Sequence, residues 1–199
     1  MSDSPGYSDA SNKPGVVRLL KILARILNEQ QCRWYLLGAQ AVNVYVRPRM
    51  SADVDVTVEL AKDKIDTFVQ SMEEEGFEIP VANPVQFIQQ TRVIPFVDRA
   101  GGIGLDVVLA GPGLEELFLS RVKQIAFDEQ PIPVMSPEDL VVTKILAGRP
   151  KDIDDVRALL SLQSLDIPWI RQLLEELEEA LAQSDLIPVL EQLLSDVKP

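Results

Sequence analysis

The sequence predicts an α/β fold, in the α+β sense: a short mixed sheet with flanking helices, followed by a small helical subdomain. Three observations predict it. Between residues 16 and 135, segments with apolar residues at helical spacing are interleaved with short strand-like runs. From Ser136 onward the apolar pattern is helical throughout. Within the first region, Asp53-Val54-Asp55-Val56 alternates acid and valine, and a strand sorts such residues onto opposite faces. The expected divisions are a disordered tail over 1–14, an α/β domain over 15–135, and a helical subdomain over 136–199 packed on it.

In chain order, Val16 to Gln31 carries Val16, Leu19, Leu20, Leu23, Ile26 and Leu27 on one side, as a core-packing helix does. Trp34 to Leu37 reads as the first strand, stopped by Gly38, and Ala39 to Val46 as a short helix behind the turn. Gly38 would let the backbone approach a phosphate, with the next N–H groups and the helix dipole facing it. A tight turn alone explains the same glycine. Ala61 to Gly76 reads as an amphipathic helix whose Glu73-Glu74-Glu75 is a solvated face. Val85 to Gln90 and Arg92 to Val97 read as paired strands, Gly101-Gly102 as a hairpin turn, and Ile103 to Leu109 as the strand bearing Asp106. Gly113 to Ser120 reads as a short helix, with two strand-like pieces after it at 122–127 and 132–135. Ser136-Pro137-Glu138-Asp139 is a helix start: a Ser cap, Pro in the first turn, and acids beside the positive end. Arg149 to Asp155 is expected to join two helices. The C-terminal helices bury a leucine stripe, Leu173, Leu174, Leu177 and Leu181.

Composition excludes several chemistries. With no histidine in 199 residues, there is no imidazole base, no His-ligated zinc and no Ser-His-Asp triad. The single cysteine, Cys32, rules out an internal disulfide and fits a reducing cytoplasm. No stretch is long and apolar enough to span a membrane, and the first fourteen residues lack the apolar core of a signal peptide. A net charge of −12 argues against broad, nonspecific nucleic-acid binding, unless Arg47, Arg49, Arg92 and Arg99 gather into one patch.

Two acids side by side on a strand repel each other and gain nothing from a core, whereas a divalent cation uses both. Asp106 lies mid-strand between Leu105 and Val107 and needs a partner there, either a metal or a salt-bridged arginine. Lys144 falls on the apolar side of its helix, where it either snorkels to the surface or points into a cleft.

An apolar strand, a Gly-small turn, a spacer, Asp-x-Asp and a later lone acid on another strand together resemble the nucleotidyltransferase superfamily. Within that superfamily, which is DNA polymerase beta-like, the likeness is nearest to the bacterial branch that includes AbiEii-type toxins and minimal nucleotidyltransferases. The resemblance implies a nucleotidyltransferase-like mixed sheet that holds the active site. It implies two Mg²⁺ ions bound by Asp53, Asp55 and Asp106, with an NTP as co-substrate and Asp106 as general base. Gly38 and Ala39 stand at the phosphate turn, Arg49 and Ser51 just before Asp-x-Asp, and Lys144 where the family's lysine is taken to reach the triphosphate. Arg49 serves equally as a phosphate partner or as an ordinary surface ion pair. Two departures stand out. Thirteen residues, Gln40 to Ala52, separate the turn from Asp53, the long end of the family's spacing, and Ala39 has no hydroxyl. The implied activity is transfer of an NMP to a hydroxyl acceptor on RNA, protein or a small molecule. A role in a toxin–antitoxin pair, with a cognate antitoxin or other partner protein, is part of the same likeness. The alternative is a degenerate domain that binds nucleotide or protein without turnover.

Overall fold

The computed structural model describes residues 14–46, 51, 53–162 and 164–197. Residues 1–13 of the expected tail, Arg47 and Arg49 lie outside the described residues, whereas Pro14 opens the first helix. The chain forms two compact units, one of residues 1–41 and 48–135 and one of residues 42–47 and 136–199.

The first unit is built on a seven-stranded mixed sheet. Its strands are β1 (Trp34–Leu37), β2 (Val54–Val58), β3 (Phe77–Glu78), β4 (Val93–Asp98), β5 (Gly104–Leu109), β6 (Lys123–Phe127) and β7 (Gln130–Val134), in the order β3-β4-β5-β2-β1-β7-β6. β2 runs parallel to β5 and antiparallel to β1. Its helices are α1 (Pro14–Glu29), the start of α2 (Gly38–Tyr45), α3 (Ile65–Glu74), α4 (Pro84–Thr91) and α5 (Leu114–Leu119). Leu19, Leu20, Leu23 and Leu27 of α1 are fully buried, as their spacing predicts. On the sheet, Val54, Val56 and Val58 of β2 and Leu105 and Val107 of β5 are fully buried. Each such side chain stabilises the fold by about 1.5–3 kcal/mol when taken out of water. Phe96 sits edge-on to both Phe68 and Phe77, at centroid distances of 5.9 and 6.4 Å.

One expected strand is a helix. Residues 84–91 form α4, because Asn83-Pro84 starts a helix and Val85 and Ile88 are spaced three apart rather than two. None of its residues is buried. Arg92 follows it at φ +59, closing the helix with its N–H on the Ile88 carbonyl at 2.8 Å. The Gly101-Gly102 turn joins β4 to β5 as expected, with the Asp98 N–H on the Ile103 carbonyl at 2.9 Å.

The second unit holds α6 (Pro137–Ala147), α7 (Pro150–Leu160), α8 (Ile167–Leu181) and α9 (Leu186–Val197). Ser136 caps α6, its Oγ accepting from the Asp139 N–H at 3.1 Å. Residues 150–155 are the first turns of α7 rather than a connection, since Pro150 starts a helix as readily as Pro137 does. The interior of this unit is not wholly apolar. Lys144 is 6% exposed and its Nζ donates to Asp152 Oδ1 at 2.9 Å and to Asp155 Oδ2 at 2.7 Å. Asp139 is fully buried and accepts from Trp169 Nε1 at 3.1 Å.

Candidate active site

β1 ends at Leu37, opposite Asp55 of β2, and Gly38 opens α2 at φ +69. A side chain there meets two obstacles. The positive φ disfavours any L-residue, and a Cβ would fall inside the Asp55 carboxylate. Glycine is therefore what allows the turn and the carboxylate to lie against each other.

Asp55 pairs in register with Asp106 across the parallel β2–β5 ladder. Aligned residues on adjacent strands point to the same side of a sheet and stand about 4.8 Å apart along the hydrogen-bonding direction. Asp53, one residue before β2, shares that side, since residues two apart alternate back to one face. Its Oδ1 lies over Gly104, where a Cβ would come within 2.7 Å of it. Two glycines, one on each flank, thus make room for carboxylates. The three acids share the face opposite the buried valines, with Asp53 and Asp106 exposed and Asp55 half-buried.

Electrostatics agrees with this crowding. Partial burial, and after it the negative charge of Asp53, push the Asp106 carboxyl above the ordinary aspartate value. No arginine among the described residues pairs with Asp106, so the salt-bridge explanation of this mid-strand acid finds no support there. Carboxylate oxygens are the donors that a hard divalent cation takes, so the chemistry of the donor set suits Mg²⁺. Among the described residues, no three acidic or thiol groups stand close enough to share one ion.

The approach to the acids is held by a residue that sequence reasoning passed over. Gln40 of α2 is 9% exposed, and its Nε2 donates to the carbonyls of Ser51 and Asp53 at 3.3 and 3.5 Å. Ser51 Oγ also donates to the Asp53 carbonyl, at 3.4 Å. The spacer that seemed long therefore returns to the turn and is tied to it. Ala39 is 9% exposed and follows Gly38 at the start of α2, where helix N–H groups have no partner within the helix.

Lys144 belongs to the helical unit, with its ammonium between Asp152 and Asp155. Arg92 and Arg99 do not form one patch: they flank the two ends of β4, about 20 Å apart at the strand rise. Arg99 pairs with Glu78, and Arg92 donates to the Leu109 carbonyl.

Comparison with known proteins agrees with this architecture. The antibiotic-resistance factor ANT(2'')-Ia in solution superposes with a TM-score of 0.56 at 13% identity, covering 83% of this chain and 94% of that one. An antigenic nucleotidyltransferase-like protein from Paracoccidioides brasiliensis gives 0.53 at 18% identity, covering 88% and 91%. The lincosamide antibiotic adenylyltransferase LnuA, with lincomycin bound, gives 0.50 at 14% identity, covering 71% and 94%. At these identities the likeness is one of fold. No curated protein matches the chain in sequence. A model of one protein family does, over residues 17–187. By that match over most of its length, the chain belongs to the nucleotidyltransferases of unknown function called DUF6036.

Proposed function

We infer that the chain transfers a nucleoside monophosphate from an NTP to a hydroxyl acceptor, in the cytoplasm. The observation that carries this reading is the in-register pairing of Asp55 with Asp106 on one face, with Asp53 beside them and Gly38 against Asp55. Asp53, Asp55 and Asp106 would hold Mg²⁺, which when bound neutralises charge on the entering and leaving oxygens. Asp53 and Asp106 are exposed, so a change of rotamer at either would leave the core undisturbed. Asp106 would take the proton of the acceptor hydroxyl as its oxygen bonds to the α-phosphorus. The bond from that phosphorus to the pyrophosphate oxygen breaks, and pyrophosphate leaves.

Phosphate contact would fall to the backbone N–H groups at Gly38 and Ala39, to Ser51 and, by its place in the sequence, to Arg49. Lys144 has its ammonium held by two carboxylates, so we assign it to the interior of the helical unit instead. A small-molecule hydroxyl suits the acceptor better than a large RNA: the chain carries −12, and Arg92 and Arg99 stand at separate ends of β4. A second reading, nucleotide binding without transfer, draws on Ala39, which offers no hydroxyl to a phosphate.

Incubation with each α-labelled NTP, Mg²⁺ and fractionated cell extract tests this. Label should move to the small-molecule fraction, and Asp53→Asn should abolish the transfer. Label in RNA or protein would keep the enzyme but replace the acceptor, as the AbiEii-type likeness and a toxin–antitoxin role require. Saturable NTP binding with no transfer from any fraction would favour the second reading.

A further inference from the structure

An open cavity of about 650 Å³ lies in the first unit between α3 and α4, at the far end of β5 from the carboxylates. Ile65 and Val69 of α3 line one side, Val85 and Ile88 of α4 the other, and Leu109 its floor. These apolar side chains are left incompletely covered: Val85 is 70% exposed, and α4 buries no residue. Two helices therefore present apolar sides to a gap that neither closes. A cavity of this size, mainly apolar with a few placed polar groups, has the make-up of a small-molecule site.

The polar groups decide which molecule. Lys62, Asp66 and Arg92 line the same cavity, two cations and one acid in a chain that carries −12. Arg92 is built into place. Its backbone accepts from the Leu109 N–H at 2.8 Å, its Nη2 donates to the Leu109 carbonyl at 2.8 Å, and its guanidinium lies over Gly111. No carboxylate among the described residues pairs with it. A guanidinium fixed against a carbonyl keeps its remaining N–H donors for a planar anion.

We propose that this cavity binds an amphipathic organic carboxylate, with its apolar body between α3 and α4 and its carboxylate on Arg92, assisted by Lys62. The site is separate from the carboxylate cluster and does not depend on nucleotide transfer.

Calorimetric titration of the full chain with decanoate tests it, with decanol as the uncharged control. Decanoate should bind with one-to-one saturation, at least tenfold more tightly than decanol. Arg92→Asn should weaken decanoate at least tenfold and leave decanol unchanged. Asparagine tolerates the positive φ of this position, so the turn is kept. If that variant fails to fold, Gly111→Val gives the same reading by crowding the guanidinium. Ile88→Trp should abolish binding of both ligands by filling the gap, and Asp55→Asn should change neither. Equal affinity for decanoate and decanol, an Arg92→Asn or Gly111→Val effect below twofold, or no saturable decanoate binding would overturn the proposal.

Discussion

Replacing Lys144 by methionine tests the ionic interior of the helical unit. The ammonium lies between Asp152 and Asp155, whose side chains are 1% and 4% exposed. Removing one partner of a buried ion pair typically costs about 3–5 kcal/mol, because the other charge stays behind without its counterion. Here Arg149 still hydrogen-bonds Asp152, so the lower end applies, about 3 kcal/mol. For a chain of this length that lowers Tm by roughly 6–12 °C. Circular dichroism melts at pH 7 measure it directly. A pH series adds a second check. Burial pushes the Asp152 carboxyl up, but hydrogen bonds from Arg149 and Lys144, together with their charges, outweigh it and hold the carboxyl below its ordinary value. A depressed carboxyl stabilises the fold fully above the unfolded value, about 3.9, and loses that contribution as pH falls through the folded one. The deficit of Lys144→Met should therefore be full at pH 7 and shrink below about pH 4. A Tm loss under about 3 °C at pH 7, roughly 1 kcal/mol, would refute the reasoning. So would a deficit that persists unchanged at pH 3.

Gly38→Ala should cost about 1–2 kcal/mol from the left-handed backbone alone. It should also lower nucleotide transfer at least tenfold, because the new methyl displaces the Asp55 carboxylate; melts and label transfer measure the two effects separately. Gln40→Leu should lower transfer several-fold while shifting stability by about 1 kcal/mol, the scale of a lost side-chain hydrogen bond. Unchanged transfer would show that residues 51 and 53 keep their place without it. Asp106→Asn removes a like charge, so without metal it should raise stability at pH 7 by about 0.5 kcal/mol, the scale of partly exposed charge pairs. With Mg²⁺ added, only the unmodified chain should gain in Tm. Equal gains in both would count against Asp106 as a ligand.

The shared face of the acids was legible because alternation along a strand is a local property. Asp53 and Asp55 had to lie together, and Asp106 had to oppose Leu105 and Val107. That Asp106 stands level with Asp55 was not legible, because it rests on β2 pairing in parallel with β5 across some fifty intervening residues. The reading of 85–90 as a strand failed for a local reason. Six residues with three apolar ones, Val85, Phe87 and Ile88, fit either period, and Asn83-Pro84 decides for the helix. Lys144 stands out in the sequence on an apolar stripe, but its partners Asp152 and Asp155 lie on the next helix, in a stretch whose sequence also reads as a connection. Gln40 escaped because its hydrogen bonds run to backbone eleven and thirteen residues away, where side-chain identity leaves no trace.

The pairing of Asp55 with Asp106 has a consequence for how this molecule can diverge. Its alignment is enforced from the other side of the sheet, where Val54, Val56, Leu105 and Val107 permit no slippage without exposing themselves. The acids contribute nothing to that enforcement and are carried along by it. Substitution at the acids therefore leaves the scaffold in place, and a descendant that lost its chemistry would keep the same architecture almost unchanged. Shape alone cannot separate an active member from an inert one in such a lineage, whereas on the function proposed above the residues at 53, 55 and 106 would.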